Sequence, residues 1–478
     1  MTDTTPKIEG PVAGVPLLGG LPTESPHPAY TQEEFFVSGV ATSYVAAGDL
    51  GSDGRWDVEP AAHAPYTTRV LVRRPSDPGR HNGTVVVEWL NVSGGHDAAP
   101  QWGLTHRHLT RAGYAWVGVS AQRVGVEGGG LVPGMALKLT DPQRYAALEH
   151  PGDEFSFDIF HQAGVVVRAA AGGMLGPLHA ARVLAVGESQ SAAFLVTYVN
   201  AIDPIAPVFD GFLVHSRSGG VAGLAGIPAP SGPDAFETIR RSFVEGTVRV
   251  RDDVRVPVLT LQSETDVVAM GSLNARQPDH DRFRLWEIAG SSHAETYLLV
   301  ASRSHTDRTT VDELAAACGP TTTPLGPLMP CERPINSGPQ QHYVAQAAIE
   351  GLDTWVRDGA APPEAPRLEV VPGPPPRLAL DEHGIARGGV RTGWVDAPAA
   401  VLSGLGQEGA VFAFLFGTTV ALDDATLGSL YPGGVSDYVE RFSAATRAAV
   451  EAGFLLAEDV PEMVALAEAM FPRVAAAS

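Results

Sequence analysis

The sequence predicts an α/β fold in which a mostly parallel sheet of eight strands carries helices on both faces, the architecture of an α/β enzyme. Three observations lead there. From about residue 34, β-rich apolar runs alternate with helix-like segments, the order that parallel strands joined by helical crossovers require. Eight such runs can be read, enough for a large central sheet. Apolar residues make up 44% of the 478 and charged residues only 18%, against about 25% charged in an average soluble protein. That composition supplies a large buried interior and excludes wholesale disorder.

Taken in order, the strands are expected at 35–45, 68–73, 84–90, 115–120, 182–188, 209–215, 256–263 and 282–289. Helices are expected at 105–112, 158–171 and 191–200, and at 343–358 after the last strand. Two connections, 217–255 and 296–341, are far longer than the ~2–6 residues customary in α/β units. Insertions of that size are read as lids or pocket walls. Seven prolines in 362–376 form a stiff strap. After it come a helix at 437–452 and a second helix whose Asp459-Val460-Pro461-Glu462 start has the form of a capping box. The predicted organisation is an N-terminal extension 1–33, a catalytic core 34–365 carrying both insertions, and a C-terminal appendage 366–478 packed on the core.

Thirty-three basic against fifty-four acidic residues give a net charge of −21. Such a field repels nucleic acid, anionic lipid and polyanionic substrates, so neutral or cationic small molecules are the expected partners. No basic segment leads into an apolar stretch at the N-terminus, and the longest near-apolar run, 409–422, falls short of the ~20 residues that span a bilayer. A cytoplasmic protein with no membrane partner is expected. The two cysteines, Cys318 and Cys331, exclude a disulfide framework and any Cys-rich metal site. They either bridge and staple their loop or remain two thiols. His106 and His108, two apart on opposite faces of a helix, argue against a metal pair. Gly125 to Gly130 lack the order of a phosphate-binding loop and are read as a mobile loop at the active edge of the sheet. Neither a metal nor a cofactor is expected.

The chemistry is concentrated at Gly187-Glu188-Ser189-Gln190-Ser191. This segment follows the run 182–186 directly and opens into Ala192-Ala193-Phe194-Leu195-Val196, giving strand, sharp turn and helix with a serine at the apex. A nucleophile turn of this kind needs small residues two before and two after the serine, because the helix folds back on the strand. Ser191 stands where a second glycine is usual. Gly290-Ser291-Ser292-His293-Ala294 fits the same loose template but lacks that context.

A serine hydroxyl becomes a nucleophile only when an imidazole takes its proton, and the imidazole must be oriented by a carboxylate. Both are expected later in the chain, each just past a strand end. Glu264, Thr265 and Asp266 follow the strand 256–263, and His293 follows the strand 282–289 across a short loop. Asp266 is the preferred acid and Glu264 the alternative. His293 is the preferred base, with His342 second. Donors for a developing oxyanion are expected from the backbone N–H of Gln190 and from the loop after the third strand, where the N–H of Val92 is preferred and Asn91 is the alternative. Trp102 and His342 are candidate substrate contacts, and Trp89, Trp102 and Trp286 otherwise pack core or pocket.

With these residues in view, the chain resembles the α/β-hydrolase superfamily, and more narrowly a group of bacterial proteins described only as α/β-hydrolase domain-containing. The narrower likeness rests on Val85-Val86-Val87-Glu88-Trp89-Leu90-Asn91-Val92-Ser93, on 152–160 and 210–216, on Ser263-Glu264-Thr265-Asp266, and on Gly388-Gly389-Val390-Arg391-Thr392 in the appendage. The resemblance implies a serine hydrolase with its triad at Ser189, His293 and Asp266 or Glu264. The expected reaction is cofactor-free hydrolysis of a neutral ester by water through an acyl-enzyme. Lactonase, thioesterase, amidase or acyltransferase chemistry on the same triad, or a binding protein that has lost the chemistry, are the alternatives.

Overall fold

The computed structural model describes residues 5–19, 21–24, 27–130, 134–169, 173–227, 246–327, 330–409 and 412–475. Nine strands make the central sheet: β1 (Lys7–Glu9), β2 (Tyr30–Ala46), β3 (Val58–Pro75), β4 (Thr84–Trp89), β5 (Ala115–Val119), β6 (Arg182–Glu188), β7 (Gly211–His215), β8 (Val258–Ser263) and β9 (Phe283–Ile288). Their spatial order is β1-β2-β3-β5-β4-β6-β7-β8-β9. The first three strands and β5 pair antiparallel. From β5 through β9 every pairing is parallel.

The eight expected strands are all present. The addition is β1, a three-residue exposed edge strand inside the predicted N-terminal extension. It carries no apolar pattern to betray it. The second strand is much longer than 68–73, because 58–67, rich in Ala and Pro and mostly exposed, pairs with residues 38–46 of β2.

Helices α1 (Pro100–Arg111), α2 (Ser156–Arg168), α3 (Gln190–Thr197), α4 (Glu264–Val268), α5 (Val311–Ala317) and α6 (Gln340–Asp358) belong to the region before the proline strap. After it come a hairpin of β10 (Ala400–Ser403) and β11 (Thr418–Ala421), then α7 (Val435–Glu451) and α8 (Val460–Ala475). Strands β4 to β9 are buried on both faces, which explains their unbroken apolar runs. Val85 and Val87 point into one core with α2 and α3, while Val86 points into the other. That second core holds residues of α1 and α6 together with Trp394, Phe442 and Leu466 from beyond the strap, so one apolar interior runs through both regions.

Two local expectations differ from what is observed, and the cysteine alternative is settled. The Asp459–Glu462 capping box does not form. Asp459 instead accepts from Arg111 Nη1 at 2.7 Å and Gln346 Nε2 at 2.9 Å, and Glu462 accepts from Tyr343 Oη at 3.0 Å. Side chains from α1 and α6 take these carboxylates in place of the helix's own N–H groups. The segment after β5 is a short helix, Arg123–Glu127, rather than an open loop; Gly125 is packed so closely on Asp97 that a Cβ would lie 2.1 Å from its Oδ1. Cys318 and Cys331 are both buried free thiols. Of the first insertion, 228–245 lies outside the described residues. Much of the second is packed structure, with α5 lying against α8. No helix among the described residues is long and apolar enough to cross a membrane.

Candidate active site

Ser189 sits between β6 and α3 with φ 59° and ψ −118°, one of two non-glycine residues at positive φ among the described residues. A serine holds that strained conformation only where the surroundings enforce it. Its N–H donates to His215 O at 3.0 Å. Gly187 permits the fold-back, since a Cβ there would stand 3.0 Å from Ser191 O. The serine in place of a second glycine closes the turn: Ser191 Oγ donates to Glu188 O at 2.8 Å and accepts from Glu188 N at 3.0 Å.

Asp266 is aimed by a helix start. Ser263 caps α4, and the reciprocal bond from Ser263 N to Asp266 Oδ2 measures 2.7 Å. The other oxygen, Oδ1, is left for His293 Nδ1 at 2.6 Å. His293 Nε2 in turn lies 2.7 Å from Ser189 Oγ. Thr265 fixes the backbone between them, accepting from His293 N at 3.1 Å through Oγ1 and donating to Gly404 O at 2.6 Å. Ser189, His293 and Asp266 therefore form one continuous hydrogen-bonded line, with the serine half-buried and the other two residues buried.

Glu264, the alternative acid, does not touch His293. Its Oε1 accepts from Gly290 N at 2.6 Å, and its Oε2 from Gly404 N at 2.8 Å and Ser403 Oγ at 3.2 Å. It ties the acid loop, the histidine loop and the region beyond the strap together. Burial pushes its carboxyl up to about 7, against those three donors.

The oxyanion candidates separate in the same way. The first N–H groups of a helix have no intrahelical acceptor, which leaves that of Gln190 open to a ligand. The Val92 N–H donates a long hydrogen bond to Gln190 Oε1 at 3.5 Å, which sets the two candidates side by side. The Asn91 N–H is used: it donates to Ala98 O at 2.9 Å, and the Asn91 side chain donates to Glu188 O at 3.0 Å. Asn91 is thus a strut between this loop and the serine turn. The loop itself is braced by Asp97, which accepts from Arg69 Nη2 at 2.6 Å and Ser120 Oγ at 2.5 Å.

Two other expectations are corrected. Trp102 is core, 5.2 Å from the Trp116 ring and 4.5 Å beneath the Arg73 guanidinium. His342 is fully buried on the side of α6 that meets α1, where Nδ1 lies 2.6 Å from Leu104 O and its ring stacks on Tyr297 at 3.9 Å. A base sealed there cannot reach Ser189. The second template match is inert as well, because Ser292 is buried and donates to Ala294 O at 3.1 Å.

Sequence reasoning missed two carboxyls that face the histidine. Glu188 Oε1 lies 3.7 Å from His293 Nε2, and burial pushes its carboxyl up to about 8. Glu295 is buried too, held by Gln341 Nε2 at 3.1 Å and likewise pushed up to about 8 by burial. For His293 itself, burial opposes the charge, but Asp266, with Glu188 and Glu295 behind it, raises the imidazole above its ordinary value. Only Glu188 had a sequence signal, its place beside the nucleophile. Beside His293, Ala294 belongs to an apolar cluster of Ile335, Phe416 and the half-buried Leu298, Leu299 and Leu415.

The model of a protein family described as alpha/beta hydrolase domain matches residues 4–465. Among solved structures, the chain is similar to fungal esterases from Rhizomucor miehei, at 11% identity over 55% of this chain and 77% of that one, TM-score 0.28. It is also similar to a Xanthomonas campestris protein described as an a/b serine hydrolase without lid, at 13% identity over 52% and 83%, TM-score 0.28. A third is an esterase from the archaeon Pyrobaculum calidifontis, at 14% identity over 52% and 74%, TM-score 0.27. No curated protein matches the chain.

Proposed function

The chain belongs to the alpha/beta hydrolase domain family, and from that premise we propose that it is a serine hydrolase acting on carboxylic esters of neutral small molecules. The observation that carries this reading is the unbroken line from Ser189 Oγ through His293 to Asp266, at 2.7 and 2.6 Å. His293 takes the Ser189 proton as Oγ attacks the acyl carbonyl, and Asp266 holds the imidazole in the tautomer that makes this possible. The N–H groups of Gln190 and Val92 receive the oxyanion, and their hydrogen bonds strengthen as charge develops. His293 returns the proton to the leaving alcohol, then activates the water that frees the acid. Leu298, Leu299 and Leu415 offer an apolar wall to the acyl or alcohol portion. The net charge of −21 disfavours retention of a carboxylate product.

A fluorophosphonate probe with p-nitrophenyl esters of increasing chain length tests the proposal. The wild type is expected to be labelled and to turn over, and Ser189→Ala to lose labelling and about 10⁶ in kcat. Turnover that survives Ser189→Ala would overturn the mechanism, and a wild type that is neither labelled nor active would favour a binding protein.

A further inference from the structure

Away from the serine, three side chains from distant parts of the chain converge where the C-terminal helix meets the rest of the molecule. His305 comes from the second insertion, His342 from the first turn of α6, and Glu462 from the first turn of α8. One ligand-type atom from each lies within 4.8 Å of the other two. His305 and His342 are 2% and 0% exposed, while the Glu462 side chain keeps 28% exposure, an entry path from solvent.

His342 carries the telling feature. Its Nδ1 lies 2.6 Å from Leu104 O, a carbonyl that can only accept, so Nδ1 holds the proton and Nε2 presents a lone pair. That Nε2 is buried with no hydrogen-bond partner among the described residues. A buried acceptor left bare costs roughly 1–3 kcal/mol.

The other two residues have the partners that metal ligands usually have. His305 Nδ1 is 2.9 Å from Tyr297 Oη, and Glu462 Oε1 accepts from Tyr343 Oη at 3.0 Å. His305 Nε2 and Glu462 Oε2 stand 3.3 Å apart. Metal–ligand bonds of about 2.0–2.1 Å in a tetrahedron give edges of about 3.3–3.4 Å. Arg107 Nη2, 4.0 Å from Glu462 Oε2, has its charge balanced by Asp307.

We propose that His305, His342 and Glu462 bind a divalent transition metal of the zinc class, with water completing the shell, and that the ion fastens the C-terminal helix to the insertion and α6. Two imidazoles and one carboxylate suit zinc over magnesium or calcium, which favour all-oxygen shells. No hydrogen bond joins these residues to Ser189, His293 or Asp266, so the site is structural and independent of the proposed hydrolysis.

The test uses the full chain carrying no histidine tag, incubated with excess zinc, passed through gel filtration and assayed for metal by mass spectrometry. The wild type is expected to retain close to one equivalent. Glu462→Gln and His342→Asn should lose at least about ten-fold of it, and Tyr343→Phe, which removes only a supporting hydrogen bond, should weaken affinity about ten-fold. Chelator should lower the wild-type melting temperature, and zinc but not magnesium should restore it. Cobalt in place of zinc should give the visible bands of a four-coordinate nitrogen and oxygen site. A folded wild type that retains no metal after this treatment overturns the proposal and leaves a His305–Glu462 ion pair. Full retention in folded Glu462→Gln or His342→Asn overturns the assignment of the ligands.

Discussion

Asp266 and Glu264 lie on one short helix, two residues apart, and their surroundings give them opposite tasks. Asp266 spends one oxygen on the helix start and the other on His293, whereas Glu264 spends both on backbone and hydroxyl donors from two other segments. Asp266→Asn is therefore expected to lower kcat by about 10⁴ by favouring the wrong imidazole tautomer. Glu264→Gln turns an acceptor into a donor facing the Gly404 N–H, and should cost about 1–3 kcal/mol in denaturant titrations while folded molecules keep their turnover. The raised His293 predicts an acid limb in kcat/KM above the ordinary imidazole value of 6.5. Activity falls as pH drops through that limb, since protonated His293 accepts nothing from Ser189. Glu188, which burial keeps protonated across that limb, is replaced by a neutral isostere in Glu188→Gln, and the limb is expected to stay where it is. A limb that moves to lower pH would show an ionised Glu188 beside the imidazolium.

At the scale of elements, the triad depends on where strands stop. Ser189, Asp266 and His293 each follow the carboxyl end of a parallel strand, where side chains leave the sheet on one edge, and that edge is where open α/β sheets bind ligands. This much was legible from strand-like runs followed by Ser, Asp and His. The contribution of the β10–β11 hairpin was not, because no spacing links residue 404 to residue 265. A Cβ on Gly404 would meet Ser291 O at 2.5 Å and Thr265 N at 2.6 Å, so the hairpin lies directly against both catalytic loops. Gly404→Ala is expected to destabilise by about 1–3 kcal/mol and to lower kcat, measured beside a melting curve. The Asp459–Glu462 prediction failed for the same reason. A local rule gave way to partners distant in sequence, Arg111, Gln346 and Tyr343.

For the molecule as a whole, a single apolar cluster on one face of the sheet draws on residues from Leu71 to Met470. Thermal unfolding should then be one cooperative transition, and a chain ending near residue 365 should not fold, because it would expose the face that Trp394, Phe442 and Leu466 cover. Two separated transitions in calorimetry would contradict this. The interior also holds carboxyls at Glu88, Glu188, Glu264 and Glu295 that burial raises to between about 7 and about 8. Each binds a proton when folded that the unfolded chain releases near 4.5. Their contribution is complete below 4.5, falls from there up to the folded values and is gone above them, so stability should decline from about pH 7 to about 8 and then level off. The buried histidines whose values are lowered are neutral in both states there and do not oppose the trend. Glu188→Gln should flatten the decline. By itself the sequence determined the succession of strands along the chain, the strand–turn–helix at Ser189 and the way Ser189, Asp266 and His293 each follow a strand end, because period, turn chemistry and strand ends are local properties of the chain. Only the tertiary structure decided which carboxylate meets His293, that Asn91 is a strut, that Trp102 and His342 face the core, and that Glu188 and Glu295 lie close to the imidazole. Those outcomes depend on which distant groups share a buried space and compete for the same donors, and no pattern along the chain records that competition.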